Sequence, residues 1–565
     1  MLSTARTFPR LAAGLVLALL PAPVVRAQHH GGIDPRAVAD DPAKAATPIA
    51  PLLEGLGELT HPVTTRSPRA QRFFDQGLRL AYGFNHQEAL RAFKEAARLD
   101  PDCAMAYWGW ALVLGPNINL PMQADVAEQA YRAIGMALER RGQASPRERD
   151  YIEALAARYA EHPPADRAPL DRAYAGAMRA LHGKYPDDDD AATLYAEALM
   201  DLAPWSYWSK DGAPNPGTLE AERALEEVMA RSPRHLGALH YYIHLVEAVD
   251  PKRAEPAADR LRGLAPGAGH LVHMPSHVYI QRGRYADGAA VNLDAVKADE
   301  GYVTQCRAQG IYPLNYYPHN IHFLFWARLM QGRGADALAA ARKAAARVPA
   351  DLHGDDWAVY QTILSTPLFA MARFGRWPEI LAEPEPEARA SYWHGVWLWA
   401  RGLAELRTGQ AELAQRRLAA LEDVVASPRA AEQLVGYSNG ERVLRIAANV
   451  LAGEIDAAAR RYDAAIVHLD RAVRLQDGLQ YSEPPDWYYP VRHNLGAVLL
   501  EAGRADEAET VYWQDLRRYP ENGWSLFGLA QALAAQGRAD EAAAVEARFA
   551  KAWGEADMKL TASRF

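Results

Sequence analysis

Three short stretches concentrate imidazole. Leu239-His240-Tyr241-Tyr242-Ile243-His244, Gly269-His270-Leu271-Val272-His273-Met274-Pro275-Ser276-His277 and Pro318-His319-Asn320-Ile321-His322 hold seven of the chain's 18 histidines. His240 with His244, and His273 with His277, stand four residues apart, and His270 stands three before His273. On a helix these spacings put side chains on one face, and two histidines one turn apart can grip a metal ion, as in H-E-x-x-H. The Glu of that motif is missing here, so a zinc-peptidase reading fails. Glu247, close to one turn past His244, could supply an oxygen ligand or a base. A nitrogen-rich donor set suits zinc, copper, nickel or iron, and not calcium or magnesium. His240, His244, His273, His277 and His322 are therefore the candidate metal ligands. An ion held there with an open position could activate water or oxygen for a hydrolytic or oxidative reaction. Imidazoles also serve as hydrogen-bonding spacers between crowded helices, so a plain interaction scaffold stays open beside a metal site.

The elements that must position these residues are helical. The sequence is rich in Ala, Leu, Arg and Glu, β-branched alternation is scarce, and the texture hardly changes along 565 residues. These features predict an all-α protein. The start reads as an export leader: Arg6 and Arg10, the apolar run Leu11 to Leu20, Pro21 and Pro23, and a small-residue exit at Val25-Arg26-Ala27. Residues 1–27 are thus expected to be removed, which puts the mature protein in the periplasm or outside the cell. No later segment is apolar for long enough to span a bilayer. The net charge of −8 argues against nucleic acid, whose phosphates call for clustered Lys and Arg. Cys103 and Cys306 are the only cysteines; in an exported chain they are a candidate disulfide, with two thiols as the alternative.

Residues 28–70 read as an extended lead-in. Beyond it Gly77, Ala89, Phe93, Ala96 and Pro101 fall into a register, and the same twelve-residue offset recurs as Gly453 to Ala465, Gly496 to Ala508 and Ala530 to Ala542. Small residues let two helices of a hairpin approach, a large one fills the gap to the next hairpin, and Pro stops the second helix. This pattern resembles the tetratricopeptide (TPR) repeat family, with Phe84-Asn85-His86 and Leu99-Asp100-Pro101 as its most distinctive text. The resemblance implies a right-handed superhelical solenoid of helix hairpins whose concave groove binds a peptide, a protein or a small molecule. Glycines 283, 332, 375, 409 and 503 follow apolar helices and are expected to take left-handed turn conformations. The chain then divides into TPR-like units over 71–235, His-rich units over 236–345 with an inserted loop at 300–317, and further units over 346–565. Asp187 to Asp190 read as a solvated loop or a helix start, with a calcium site as an alternative that lacks the spacing of an EF-hand loop.

Set in this register, His273 and His277 lie 33 residues after His240 and His244, while His319 and His322 lie 49 after His270 and His273. In TPR proteins these columns line the groove, so the resemblance implies that the imidazoles form one wall facing a cavity. Glu247, Tyr241, His270, His319, Tyr316 and Tyr317 are the expected groove or ligand contacts, the last two carried on the inserted loop, which is expected to fold over the groove.

Overall fold

The computed structural model describes residues 47–306, 312–387 and 389–565. The expected leader, the lead-in up to residue 46 and residues 307–311 of the expected insertion lie outside the described residues. The protein is all-α: helices joined by short turns run from Pro68–Tyr82 to Ala539–Ala552, and among the described residues the only strands are the antiparallel pair Leu434–Val435 and Ser438–Asn439.

Local chemistry explains where helices start. Ser67 caps Pro68–Tyr82, Asn85 caps His86–Leu99, and Ser145 forms a capping box with Glu148 on Pro146–Ala156. Of the two readings of Asp187 to Asp190, the helix start is the one found: Asp188 accepts from the Ala191 N–H, and Asp190 is buried instead of solvated. The five expected turn glycines all have φ between 64° and 82°. Lead-in residues before Pro68 lie along the helices, with His61 buried and its N–H donating to Asp75 Oδ1.

Successive hairpins pack through the register read from the sequence. The Phe93 ring sits between Gly77 and Gly109, either of which would collide with it if given a Cβ. Tyr512 sits in the same way between Gly496 and Gly528. Gly528→Ala should therefore destabilise the protein by about 1–3 kcal/mol through overpacking. Gly176, on Ala168–Lys184, has nothing within 4 Å of a built Cβ, and its replacement by Ala should stabilise by about 0.5–1 kcal/mol. Thermal melts of the two variants should move in opposite directions, and a shared direction would refute the packing argument.

The chain divides into two compact units: Glu58–Leu245 with the described residues before Leu53, and Val246–Phe565 with Leu53–Gly57. The histidine stretches fall on both sides of this division.

Candidate functional site

In the second unit the short helices Gly269–His273 and Pro275–Gln281 carry His270, His273 and His277, and Tyr317–Met330 carries His319 and His322. His273 Nδ1 lies 2.7 Å from Asn292 Oδ1, while Asn292 Nδ2 donates to the Gly288 carbonyl. Asn292 Oδ1 is thus an acceptor, and His273 carries its proton on Nδ1. The two Nε2 atoms of His273 and His277 are 2.8 Å apart, so one of them must donate, and His273 has already placed its proton. His277 donates, and its Nδ1 also faces acceptors: Glu247 at 2.9 Å and Glu483 in a close ion pair. His277 is therefore an imidazolium. Burial opposes its charge, but Glu247 and Glu483 outweigh burial and carry its pKa up to about 10. Burial, and then the charge of Glu247, push Glu483 up to about 7.

Further groups complete this centre. Tyr481 donates to Glu483, and Gln281 Nε2 bonds both Tyr481 Oη and Glu483 Oε1, at 2.8 and 2.6 Å. Phe323 stacks on His277 with ring centroids 4.5 Å apart and meets His273 edge-on at 4.6 Å. His319 stands 4.8 Å from the His273 ring. Nitrogens of His273, His277 and His319 lie within 4.8 Å of one another, the first two buried and the third half-buried. The side chains expected to face an open groove are thus largely sealed, because Phe323 and the segment carrying Tyr481 and Glu483 cover them.

His322 is not the third member of this group. One turn beyond His319, its ring meets Phe325 and Tyr488, at 6.1 and 5.1 Å, and burial holds it neutral with a pKa near 3. His270 donates its N–H to Tyr312 Oη at 3.2 Å and packs on Tyr316 at 4.9 Å. Tyr317 donates to Glu300. The expected insertion is mostly helical: Glu300 to Cys306 complete the helix Tyr285–Cys306, and Tyr312–Tyr316 form a π-helical turn. No disulfide joins Cys103 to Cys306 among the described residues. Cys103 is buried before the helix Ala104–Leu112, and burial raises its thiol pKa to about 12.

Beside His270, the buried Asp299 carboxylate accepts from Tyr312 Oη and Asn320 Nδ2 at 2.8 and 2.7 Å. It lies so close to Gly269 that a Cβ there would overlap it. Burial raises the Asp299 pKa from 3.8 to about 7. The folded chain then binds this proton more tightly than the unfolded chain, so the contribution is favourable at low pH and is lost as pH rises from about 4 through about 7. Asp299→Asn should remove that slope. The difference in thermal midpoint between variant and parent should shift toward the variant from pH 4 to pH 7, and a pH-independent difference would contradict the assignment.

In the first unit His240 and His244 stand on Leu236–Val246 with rings 4.8 Å apart. His240 Nδ1 meets the Tyr82 carbonyl at 2.6 Å, which fixes the proton on Nδ1, and Phe84 packs against both rings. Tyr241 is buried against Tyr82 and Phe84. This unit also buries two ionic clusters. In one, Asp190 receives Tyr82 Oη at 2.6 Å and faces His61 and His235, at 2.7 and 3.2 Å. In the other, Arg158 pairs with Asp201, donates to the Pro116 carbonyl at 3.0 Å and lies 4.5 Å from the centre of the Tyr174 ring. Burial raises Glu197 to about 7 in that cluster, and burial with the charge of Glu197 raises Asp201.

Glu483, Tyr481, Gln281, Asn292 and Phe323 are the site residues that sequence reasoning missed. The readable signal for the first two was the segment Tyr481-Ser482-Glu483-Pro484-Pro485-Asp486-Trp487, where prolines and aromatics interrupt the helical pattern.

Hairpins stacked through small-residue contacts, with glycine turns and almost no strand, define an all-α repeat solenoid of the TPR-like class. No protein-family model matches the chain, and comparison of its sequence with curated proteins finds no match. Among solved structures, the chain is similar to the human IFIT1 dimer with PPP-AAAA at a TM-score of 0.30 and 10% identity, over 84% of this chain and 88% of that one. It is similar to Cut9–Hcn1 of the APC/C at a TM-score of 0.26 and 12% identity, over 87% and 97% of the two chains. Likeness at these scores carries no argument about function.

Proposed function

We propose that this helical-repeat protein is a binding protein whose second unit holds a divalent transition-metal ion through His273, His277 and His319. The observation that carries this reading is the outer layer. In metal sites a ligating histidine donates its other ring N–H to a carboxylate or carbonyl acceptor. Here His277 Nδ1 faces Glu247 and Glu483, and His273 Nδ1 faces Asn292 Oδ1, so both Nε2 atoms turn toward each other. Their 2.8 Å separation suits a shared proton; two nitrogens on a tetrahedral ion stand roughly 3.3 Å apart. An ion would take the place of that proton with a small opening of the pair, and the two carboxylates would balance a divalent charge in a sealed interior. Zinc, copper, nickel and iron suit such donors. When bound, the ion would act as a Lewis acid toward a ligand.

A second reading, a hydrolytic or oxidative enzyme, draws on one observation: His319 is half-buried while the other two are sealed. A fourth coordination position would then open beside His319. In either reading the leader-like residues 1–27 fit a protein working in the periplasm or outside the cell, a point that sequencing the N-terminus of the mature chain checks.

The test is metal content. Untagged protein should carry close to one equivalent of one transition metal, or take it up after chelation and dialysis. Replacing His273 and His277 by Ala together should abolish uptake. Asn292→Ala, which only frees the orientation of His273, should weaken affinity by about 10–100-fold. Protein that takes up none of the four metals would leave the solenoid as a scaffold without an ion.

A further inference from the structure

After the helix Ala539–Ala552 the chain leaves the helical pattern, and Asp557–Phe565 runs back over the second unit without helix or strand. Its partners come from both helices of several hairpins. Asp557 receives the Gly334 and Ala335 N–H groups at 2.8 and 2.9 Å, beyond the turn after Tyr317–Met330. Arg373, from Ala358–Arg373, and Gln531, from Gly523–Ala535, reach the Ser563 and Thr561 carbonyls at 3.5 and 3.4 Å. Arg407, from Ser391–Arg407, donates to the Phe565 oxygen at 3.0 Å. Asp557 is held by its carboxylate, whereas the contacts of Arg373, Gln531 and Arg407 read the main chain of the segment. Three others read side chains. Ser563 Oγ donates to the His493 carbonyl at 2.7 Å and meets Tyr512 Oη at 2.7 Å. Arg564 reaches Glu454 and Glu501 at 2.6 and 2.8 Å. Phe565 packs on Trp524 and over Gly375.

Main-chain bonds for holding and pockets for selected side chains are the means by which folded domains bind extended peptides. The frame also remains electrostatically balanced without the segment. Glu454, fully buried, keeps Arg407 and Asn494 when Arg564 is absent. Arg373 keeps His493 Nδ1 at 2.6 Å and the Trp524 face at 3.4 Å. Asp557, Lys559 and Thr561 remain exposed, so the segment lies at the surface of the frame with single side chains inserted.

We propose that the second unit is a peptide-binding array whose site is filled by its own segment Asp557–Phe565. Its ligand is a segment of a partner protein with a small hydroxyl residue, an arginine and an aromatic residue in that order. This inference is independent of the metal site.

The test uses the full chain with a protease site placed between Gly554 and Asp557. After cleavage of the folded protein and dilution, a fluorescein-labelled peptide spanning residues 557–565 should bind, and uncleaved protein should take up none. The R564A peptide should bind at least tenfold more weakly. Loss of helical circular dichroism on cleavage would overturn the proposal, because the segment would then be part of the core. So would intact cleaved protein that ignores the peptide or binds R564A equally well. A concentration-dependent dimer of the uncleaved chain that R564A abolishes would assign the site to exchange between copies and overturn the partner-protein reading.

Discussion

His277→Leu should destabilise the second unit of metal-depleted protein by about 3–5 kcal/mol, the cost of removing one partner from a buried ion pair. Glu247 and Glu483 would be left facing each other, both sealed from solvent. One of them must then take up a proton, and the other stays charged without a counter-ion. The loss should largely disappear when Glu247→Gln and Glu483→Gln are added, since neutral amides of similar volume need no cation. Denaturant titration in the presence of a chelator measures both effects. A single-variant loss below 1 kcal/mol, or a triple variant as unstable as the single, would show that His277 is not the imidazolium that balances the two carboxylates.

Arg158→Met should be as damaging in the first unit, for a related reason. Arg158 is buried, pairs with Asp201 and lies near Glu197, whose pKa burial has raised to about 7. Removing the guanidinium strands two carboxyl groups and the Pro116 carbonyl, again at about 3–5 kcal/mol. Methionine keeps most of the stem's volume, so a cavity contributes little. Asp201→Asn with Glu197→Gln should recover most of the loss. As a contrast, Arg66 and Asp102 form a pair at 2.7 Å with side chains 84% and 62% exposed. Arg66→Met should leave denaturant midpoints unchanged within error, because exposed pairs contribute little. Equal losses at the two arginines would refute the burial argument.

The parts of this protein that were legible in its sequence are those fixed by local spacing. The offset from Gly77 to Phe93 is a packing rule, and the structure shows Phe93 lodged between Gly77 and Gly109. Glycines at helix ends are a backbone rule, and all five named positions carry positive φ. The pairing of His273 with His277 follows from helical periodicity. What was not legible depends on chain closure over long separations. Glu483 follows His277 by 206 residues, and no local pattern announces that a carboxylate from an irregular segment will meet an imidazole. The choice between His319 and His322 turned on where Tyr317–Met330 begins after a π-helical turn, a shift of one helical turn that repeat arithmetic cannot resolve. Columns alone also could not foretell that most of the imidazoles would be covered.

The return of the helix Gly523–Ala535 to the helix Tyr317–Met330 has a consequence for how the second unit comes apart. In an open repeat array each hairpin touches only its neighbours, so stability is close to a sum of nearest-neighbour terms and the ends fray first. Here Trp524 Nε1 donates to the Leu329 carbonyl, 195 positions earlier, at 3.3 Å, and Tyr285 Oη reaches the Pro520 carbonyl at 3.0 Å. The terminal helices are therefore held from both sides, and loosening them requires breaking contacts in the middle of the chain. Amide exchange in Gly523–Ala535 should be as slow as in Tyr317–Met330, and the unit should unfold in one cooperative step with the high contact order of a closed fold.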